Sequence, residues 1–293
     1  MLCTVINLRM GKVSLTHFPC TINLTNFANF KYKNKVLTFS VSPNYAHGKG
    51  LVVLNDKNGI WISHSVPRFP PSFEESYSYP DSGRNFGQTV ICVTFSNKEA
   101  AIDIVEHLLT IRPYIYSEYY AEPMMKIVKN FQSLKNRRWS SKKFLRKEIK
   151  SLANTEFILF SKSNKENYDL YDYYISPYIK SNLLAETWRR GAGRPLPSDC
   201  KPPFEVHNVQ VVNLPFTSGK IKQSGEWKYL EDHSKWAISE TKIKSFVCIS
   251  DLNRMQSQFK RGGGAVCFRN AESWLLFKDS IAGIEGCPRN GSS

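Results

Sequence analysis

One pattern occurs twice in this chain and restricts its fold more than any other feature. "HGKGLVVLNDKNGIWISH" sets a histidine and a lysine two apart, His47 and Lys49, ahead of an apolar run, a polar turn and a second apolar run ending at His64. "HSKWAISETKIKSFVCISD" repeats this order from His233 and Lys235 to Asp251. The first pair of ends lies 17 residues apart and the second 18. In an extended chain, residues two apart point to the same side, so each copy presents an imidazole and an ammonium together. Two copies can close around a pseudo-twofold axis and bring both pairs to one site. The duplicated unit therefore predicts two related halves, a result that neither copy alone suggests.

Such a site suits one chemistry above others. A neutral imidazole can attack the phosphorus of a phosphodiester, a second, protonated imidazole can give the leaving oxygen its proton, and two lysines can balance charge on the non-bridging oxygens. One of His47 and His233 must be neutral and the other charged, and the reference pKa near 6.5 points to mildly acidic pH. The set calls for no metal, and no carboxylate cluster of the kind that holds Mg²⁺ is evident. His64 and Asp251 are placed to orient or tune the histidines. Glu231 and Asp232, just before the second motif, read as holders of nearby backbone or basic side chains rather than of metal.

The remaining elements predict a mixed α/β chain. Leu51–Leu54 and Ile60–Ile62 flank Asn55-Asp56-Lys57-Asn58-Gly59, which is hairpin chemistry. "QTVICVTFS" reads as a buried strand, followed by a helix capped by Ser96 with Glu99 three residues on. Its apolar positions are Ile102, Val105, Leu108 and Leu109, Pro113 stops it, and His107 upon it reads as structural. Strand and helix follow from Phe157 to Trp188, interrupted by Pro177, then the turn-rich "GAGRPLPSDCKPP". Short strands resume from Val206 to Cys267, and "AESWLLFKDSI" predicts a closing helix, with Trp236 and Trp274 as core residues. Arg261-Gly262-Gly263-Gly264 reads as a backbone turn or an anion cradle.

A chain of 293 residues with 41% hydrophobic residues can bury one large core or two packed halves. No apolar run approaches the roughly 18 residues of a membrane span. The net charge of +15 favours polyanionic partners or serves solubility. Between Lys126 and Lys150 ten cations face the single acid Glu148, with Phe131, Trp139 and Phe144 interleaved. That pattern suits phosphate contact with aromatic stacking, and equally a solvated face with core anchors. The seven scattered cysteines lack zinc-site spacing and suit long-range disulfides in a secreted protein. The sequons at Asn23 and Asn290 agree, although the first residues show no signal-peptide pattern.

These residues resemble a known family, the deoxyribonuclease II endonucleases of animal lysosomes and secretions. The matching text is "HGKGLVVLNDKNGIWISHSVPRFPP", "FGQTVICVTF", "LPSDC" and, most specifically, "EDHSKWAIS" through "VCISDLNRMQSQFKRGGGAVC". The likeness runs from about residue 45 to 287 and is weakest between Ile127 and Leu170. It implies a phospholipase-D-like fold of two pseudo-symmetric halves, each a β-sheet flanked by helices. It also implies hydrolysis of double-stranded DNA at acid pH without divalent metal or cofactor, leaving 3′-phosphate ends. His47, Lys49, His233 and Lys235 fall on the family's catalytic motifs. Asp251 and Asn253 follow the second motif, His64 lies in the matching first segment, and Arg68, Arg254 and Arg261 are the expected substrate contacts.

By the same likeness Cys200 pairs with Cys287 and Cys248 with Cys267. Cys92 matches a cysteine that bonds to one near the mature N-terminus, where Cys3 or Cys20 would have to serve. Residues 1–40 do not match and read as a divergent or incomplete start. Residues 41–125 are the expected N-terminal half, 126–155 a basic connecting region and 156–293 the C-terminal half. Lysosomal or secreted location, no membrane partner and a homodimer are the matching expectations. Two rival readings stay open: a silent, basic DNA-binding or host-interaction paralogue of the same fold, and a phospholipase, against which the basic surface argues.

Overall fold

The computed structural model describes residues 2–3, 42, 44–55, 57–67, 69, 71, 78–95, 98–120, 122–128, 130–218 and 221–287. Its strands are β1 (Leu2–Cys3), β2 (Gly50–Leu54), β3 (Gly59–His64), β4 (Val90–Phe95), β5 (Phe144–Lys150), β6 (Glu156–Lys162), β7 (Leu183–Thr187), β8 (Val206–Ser218), β9 (Ile221–Lys228), β10 (Lys235–Ser239), β11 (Phe246–Ser250), β12 (Gly263–Arg269) and β13 (Ile281–Ile284). Its α-helices are α1 (Asp81–Arg84), α2 (Lys98–Ile111), α3 (Glu122–Ile127), α4 (Phe131–Lys135), α5 (Ser176–Ile179) and α6 (Ala271–Asp279). The class is mixed α/β, as expected. One sheet has the order β1-β4-β3-β2, and the other the order β13-β8-β7-β10-β11-β12-β6-β5 with β9 paired to β8.

The duplicated unit is visible in the pairing. In the first sheet β2 and β3 form an antiparallel hairpin and β4 adds to β3, with Gly50 opposite Ser63 and His64 opposite Val90. In the second sheet β10 and β11 form the hairpin and β12 adds to β11, with Trp236 opposite Ile249 and Ser250 opposite Ala265. The side chain of Asn55 makes the first hairpin tight, accepting from the backbone N–H groups of Lys57 and Asn58 at 2.8 and 2.9 Å.

The two sheets share a core. Trp61, Ile91, Val93 and Phe95 of the small sheet pack in one cluster with Ile104 and Val105 of α2 and with Leu159, Ile249 and Val266 of the large sheet. The far face of the large sheet is covered separately by Leu170, Tyr171, Ile175 and Ile179, which meet Ala237, Cys248 and Cys267. Both faces are thus buried, which is why "FVCIS" and "GGAVCFR" read as continuous apolar runs rather than alternating ones.

Several sequence expectations are refined. The buried side of α2 includes Ala101 and Ile104, whereas Ile102 and Leu108 are half-buried. His107 is structural as read, but buried: its Nδ1 lies 2.8 Å from Ser161 Oγ and its ring 5.2 Å from Trp61. The Ser96 cap and both sequons lie outside the described residues. The closing helix stops at Asp279, and Ile281–Ile284 turn back to pair with β8. Residues 126–155 contain β5, the outermost strand of the large sheet beside β6.

Both expected disulfides are present, Cys200–Cys287 and Cys248–Cys267, the latter between residues directly opposite across β11 and β12. Cys92 carries a free, buried thiol that burial pushes up in pKa, and the Cys3 backbone lies opposite it in the β1–β4 register. Among the described residues, no helix is long and apolar enough to cross a membrane.

Candidate active site

The two His-x-Lys pairs meet because each strand pair delivers its motif to the same place. Their histidines are held reciprocally. His47 Nδ1 donates to the carbonyl of Asp251 at 2.7 Å, and His233 Nδ1 donates to the carbonyl of Ser65 at 2.8 Å. Each ring is therefore oriented by backbone from the other half. A carbonyl can only accept, so Nδ1 carries the proton in both rings and Nε2 keeps its lone pair. Backbone bonds cross the same seam, from the His47 N–H to Gly262 and from the His233 N–H to Gly87, at 2.9 and 2.8 Å.

Each lysine is tied to its own motif. Lys49 Nζ donates to the His47 carbonyl at 2.8 Å, and Lys235 Nζ to the His233 carbonyl. Burial brings Lys49 down to about 8, despite Asp251. Lys235 is held well below the usual lysine range by burial and then by Lys49, so the two ammoniums feel one another. Burial with Lys49 and Lys235 depresses His47 far below 6.5, and burial with Lys235 and Lys49 brings His233 to about 2. Every group is thus pushed toward its less positive form, the state of a pocket shaped for an anion.

Asp251 is the acid that faces Lys49. Its Oδ2 accepts from the Gly264 N–H at 3.1 Å, and burial raises it to about 6 against the pull of Lys49. His64 is buried at the end of β3, its ring 5.5 Å from Phe69, and burial and Lys49 lower it to about 4. Asn253 lies at a cleft of about 480 Å³ that His47, Arg261, Trp188, Arg190 and Lys260 also line. Arg261 donates to the Tyr45 carbonyl at 3.3 Å and keeps its side chain on that cleft.

Arg254 is placed differently from the expectation of a substrate contact. It is 1% exposed and spends its guanidinium inside, donating to Asp169 at 2.9 Å and to Asn208 at 2.6 Å. Its role is to satisfy a buried carboxylate. Arg68 lies outside the described residues. Asp232 does what was expected of it, accepting from the Ser234 N–H and from the indole of Trp227 at 2.9 and 3.0 Å.

Comparison with known proteins agrees with the motifs. A family model described as Deoxyribonuclease II matches residues 4–287. The chain belongs to the deoxyribonuclease II family. Plancitoxin-1 of Acanthaster planci is 35% identical over 243 residues, covering 82% of this chain and 65% of that protein. Deoxyribonuclease-2-beta of Homo sapiens is 34% identical over 250 residues, covering 84% and 66%, and Deoxyribonuclease-2 of Caenorhabditis elegans is 35% identical, covering 81% and 61%. The chain thus spans just under two thirds of the length of these relatives.

In this deoxyribonuclease II family member, two neighbours of the site escaped the sequence reading. The Trp188 ring stands 4.2 Å from that of His233 and 5.9 Å from Lys235 Nζ. Glu186 on β7 is fully buried, and burial together with Asp232 raises it far above the carboxylate range, against the pull of Arg189 and Lys235. Both residues reach the site through the pairing of β7 with β10, which has no local signature. Among the described residues, one grouping of potential metal ligands, Cys200, Glu205, His207 and Cys287, spends its sulfurs on the disulfide and its other pair on a 2.8 Å contact between His207 Nε2 and Glu205 Oε2.

Proposed function

We propose that this chain is an endonuclease that hydrolyses DNA phosphodiester bonds at acid pH, with two histidines and two lysines in place of a metal ion. The observation that carries this reading is the reciprocal orientation of His47 and His233, each with Nδ1 bound to a carbonyl of the opposite half. Membership of the family supplies DNA as the substrate class.

The steps follow from the donor set. Nε2 of one histidine attacks phosphorus, the N–P bond forms and the P–O5′ bond breaks, and the second histidine gives its proton to the departing 5′ oxygen. That same histidine then takes a proton from water, which attacks phosphorus, breaks the N–P bond and leaves a 3′-phosphate. Lys49 and Lys235 balance the equatorial oxygens. In the empty site both imidazoles are neutral, because burial and the lysines depress them. A bound phosphate offsets the lysines and raises the imidazoles, so protonating one of the two becomes easier as pH falls. Turnover therefore rises on acidification. Two disulfides fit an oxidising compartment, lysosomal or extracellular.

Plasmid nicking tests this. At about pH 5 in excess chelator the protein nicks, and His233→Ala lowers the rate by about 10³-fold. A requirement for Mg²⁺, or full activity of His233→Ala, defeats the proposal.

A further inference from the structure

The basic stretch noted between Lys126 and Lys150 is only partly explained by the core. Phe131 is buried there, Trp139 packs against the same cluster, and Phe144 borders the second cluster beside Phe160. It stacks on Tyr174 at 3.8 Å and 10°, Tyr174 meets Tyr173 at 4.9 Å, and Tyr173 lies parallel to Tyr168 at 3.9 Å and 5°. Tyr168 and Tyr173 are 46% and 51% exposed. A ladder of rings so climbs out of the protein and ends in two parallel tyrosines at the surface. Lys142 and Lys143 precede Phe144, Lys165 precedes Tyr168, and all three lysines are exposed. Of the nearby acids, Glu166 is buried, Glu148 accepts from Tyr178 at 2.9 Å, and Asp172 beside Tyr173 is half-buried.

This surface sits at the active-site end of the large sheet. Phe144 is opposite Lys162, Lys162 is opposite Gly263, Ala265 is opposite Ser250, and Ile249 is opposite Trp236. The start of β5, the end of β6, the start of β12, the end of β11 and the start of β10 thus form one edge. Lys235 and Phe144 stand four inter-strand spacings apart along it, about 19 Å. Lys162 bridges the interval, donating to the carbonyls of Gln258 and Phe259 in the loop that supplies Lys260 and Arg261 to the cleft.

We propose that Tyr168, Tyr173, Lys142, Lys143 and Lys165 form a second nucleic-acid contact, which takes the unpaired bases of the DNA strand that leaves the catalytic centre. The proposal rests on the nuclease reading of that centre and adds to its duplex substrate a hold on single-stranded or frayed stretches. Exposed aromatic faces hold any base by stacking, and lysines spaced beside them follow the phosphates, which is the arrangement single strands require. A closed duplex offers the lysines its phosphates but hides its base faces from the tyrosines.

The test is binding by the His233→Ala protein, measured by fluorescence anisotropy with a labelled, mixed-sequence strand of about 20 nucleotides. Tyr168→Ala with Tyr173→Ala weakens binding about tenfold or more, whereas the paired Tyr→Phe changes keep it. The same alanines leave the affinity for a blunt duplex of equal length within about twofold, since a duplex conceals its base faces. Lys142, Lys143 and Lys165 changed together to Gln lower the salt slope for the single strand by about 2. Unchanged single-strand affinity in the alanine protein, or an equal loss for strand and duplex, overturns the proposal. Anisotropy reads this surface whether or not the native chain nicks plasmid, so the two readings fail separately.

Discussion

Gly48 lies between the two residues of the first motif because nothing larger fits there. A Cβ built on it would stand 2.9 Å from Asp251 Oδ2, the carboxylate that also accepts from Gly264. Gly48→Ala must therefore displace Asp251, whose carbonyl orients His47. The expected result is nicking reduced by at least about tenfold with a stability cost of only about 1–3 kcal/mol, read by rate and by denaturant midpoint. Arg254 gives the opposite result. Arg254→Ala leaves the 4%-exposed carboxylate of Asp169 buried without its partner, so the loss appears in stability, about 3–5 kcal/mol in urea unfolding. A normal stability with raised KM would mark Arg254 as a substrate contact after all. The motif residues were legible in the sequence, because His-x-Lys is local and extended. Arg254 was misread because its neighbour in the motif text says nothing of Asp169, 85 positions away.

At the scale of elements, the hairpins of both halves were legible from turn chemistry and apolar runs, and the partners of their outer strands were not. β7 lies beside β10 and β6 beside β12 through long-range pairing, and the first of these brings Glu186 and Trp188 to the site. The two disulfides act on different connections. Cys248–Cys267 closes 19 residues within one strand pair, whereas Cys200–Cys287 closes 87 and ties the turn-rich connection to the end of the chain. In the loop-closure account the longer link constrains the unfolded chain more, by about 1 kcal/mol. Replacing Cys200 and Cys287 by Ser is thus expected to lower the unfolding midpoint more than replacing Cys248 and Cys267. Equal losses would show that local packing at β11 and β12 outweighs chain entropy.

Over the whole molecule, buried titratable groups set opposing pH dependences. His64 and His107 are lowered to about 4 and His233 to about 2, so the unfolded chain binds more protons below its ordinary histidine pKa. Their contribution is complete above that pKa and is lost as pH falls. Asp251 and Asp172 are raised to about 6 and about 7, so the folded chain binds more protons there and gains stability on acidification. The two effects offset one another and flatten the profile across the acid range. Asp172→Asn isolates one of them. It should raise the melting temperature by roughly 2–4 °C at and above neutral pH, with the gain vanishing as pH falls toward the ordinary carboxylate range. A gain that persists at low pH would assign the effect to packing instead.

The sequence alone determined the repeated unit, the identity of its four titrating side chains and the hairpins that carry them, because all of these follow from spacing within a few residues. Tertiary structure decided how the copies face each other. Only when Asp251 of one half meets His47, and Ser65 of the other meets His233, does each ring gain a fixed tautomer, and only in one buried pocket does Lys49 depress Lys235. Those contacts span 204 and 168 residues, and no local pattern encodes a distance of that kind.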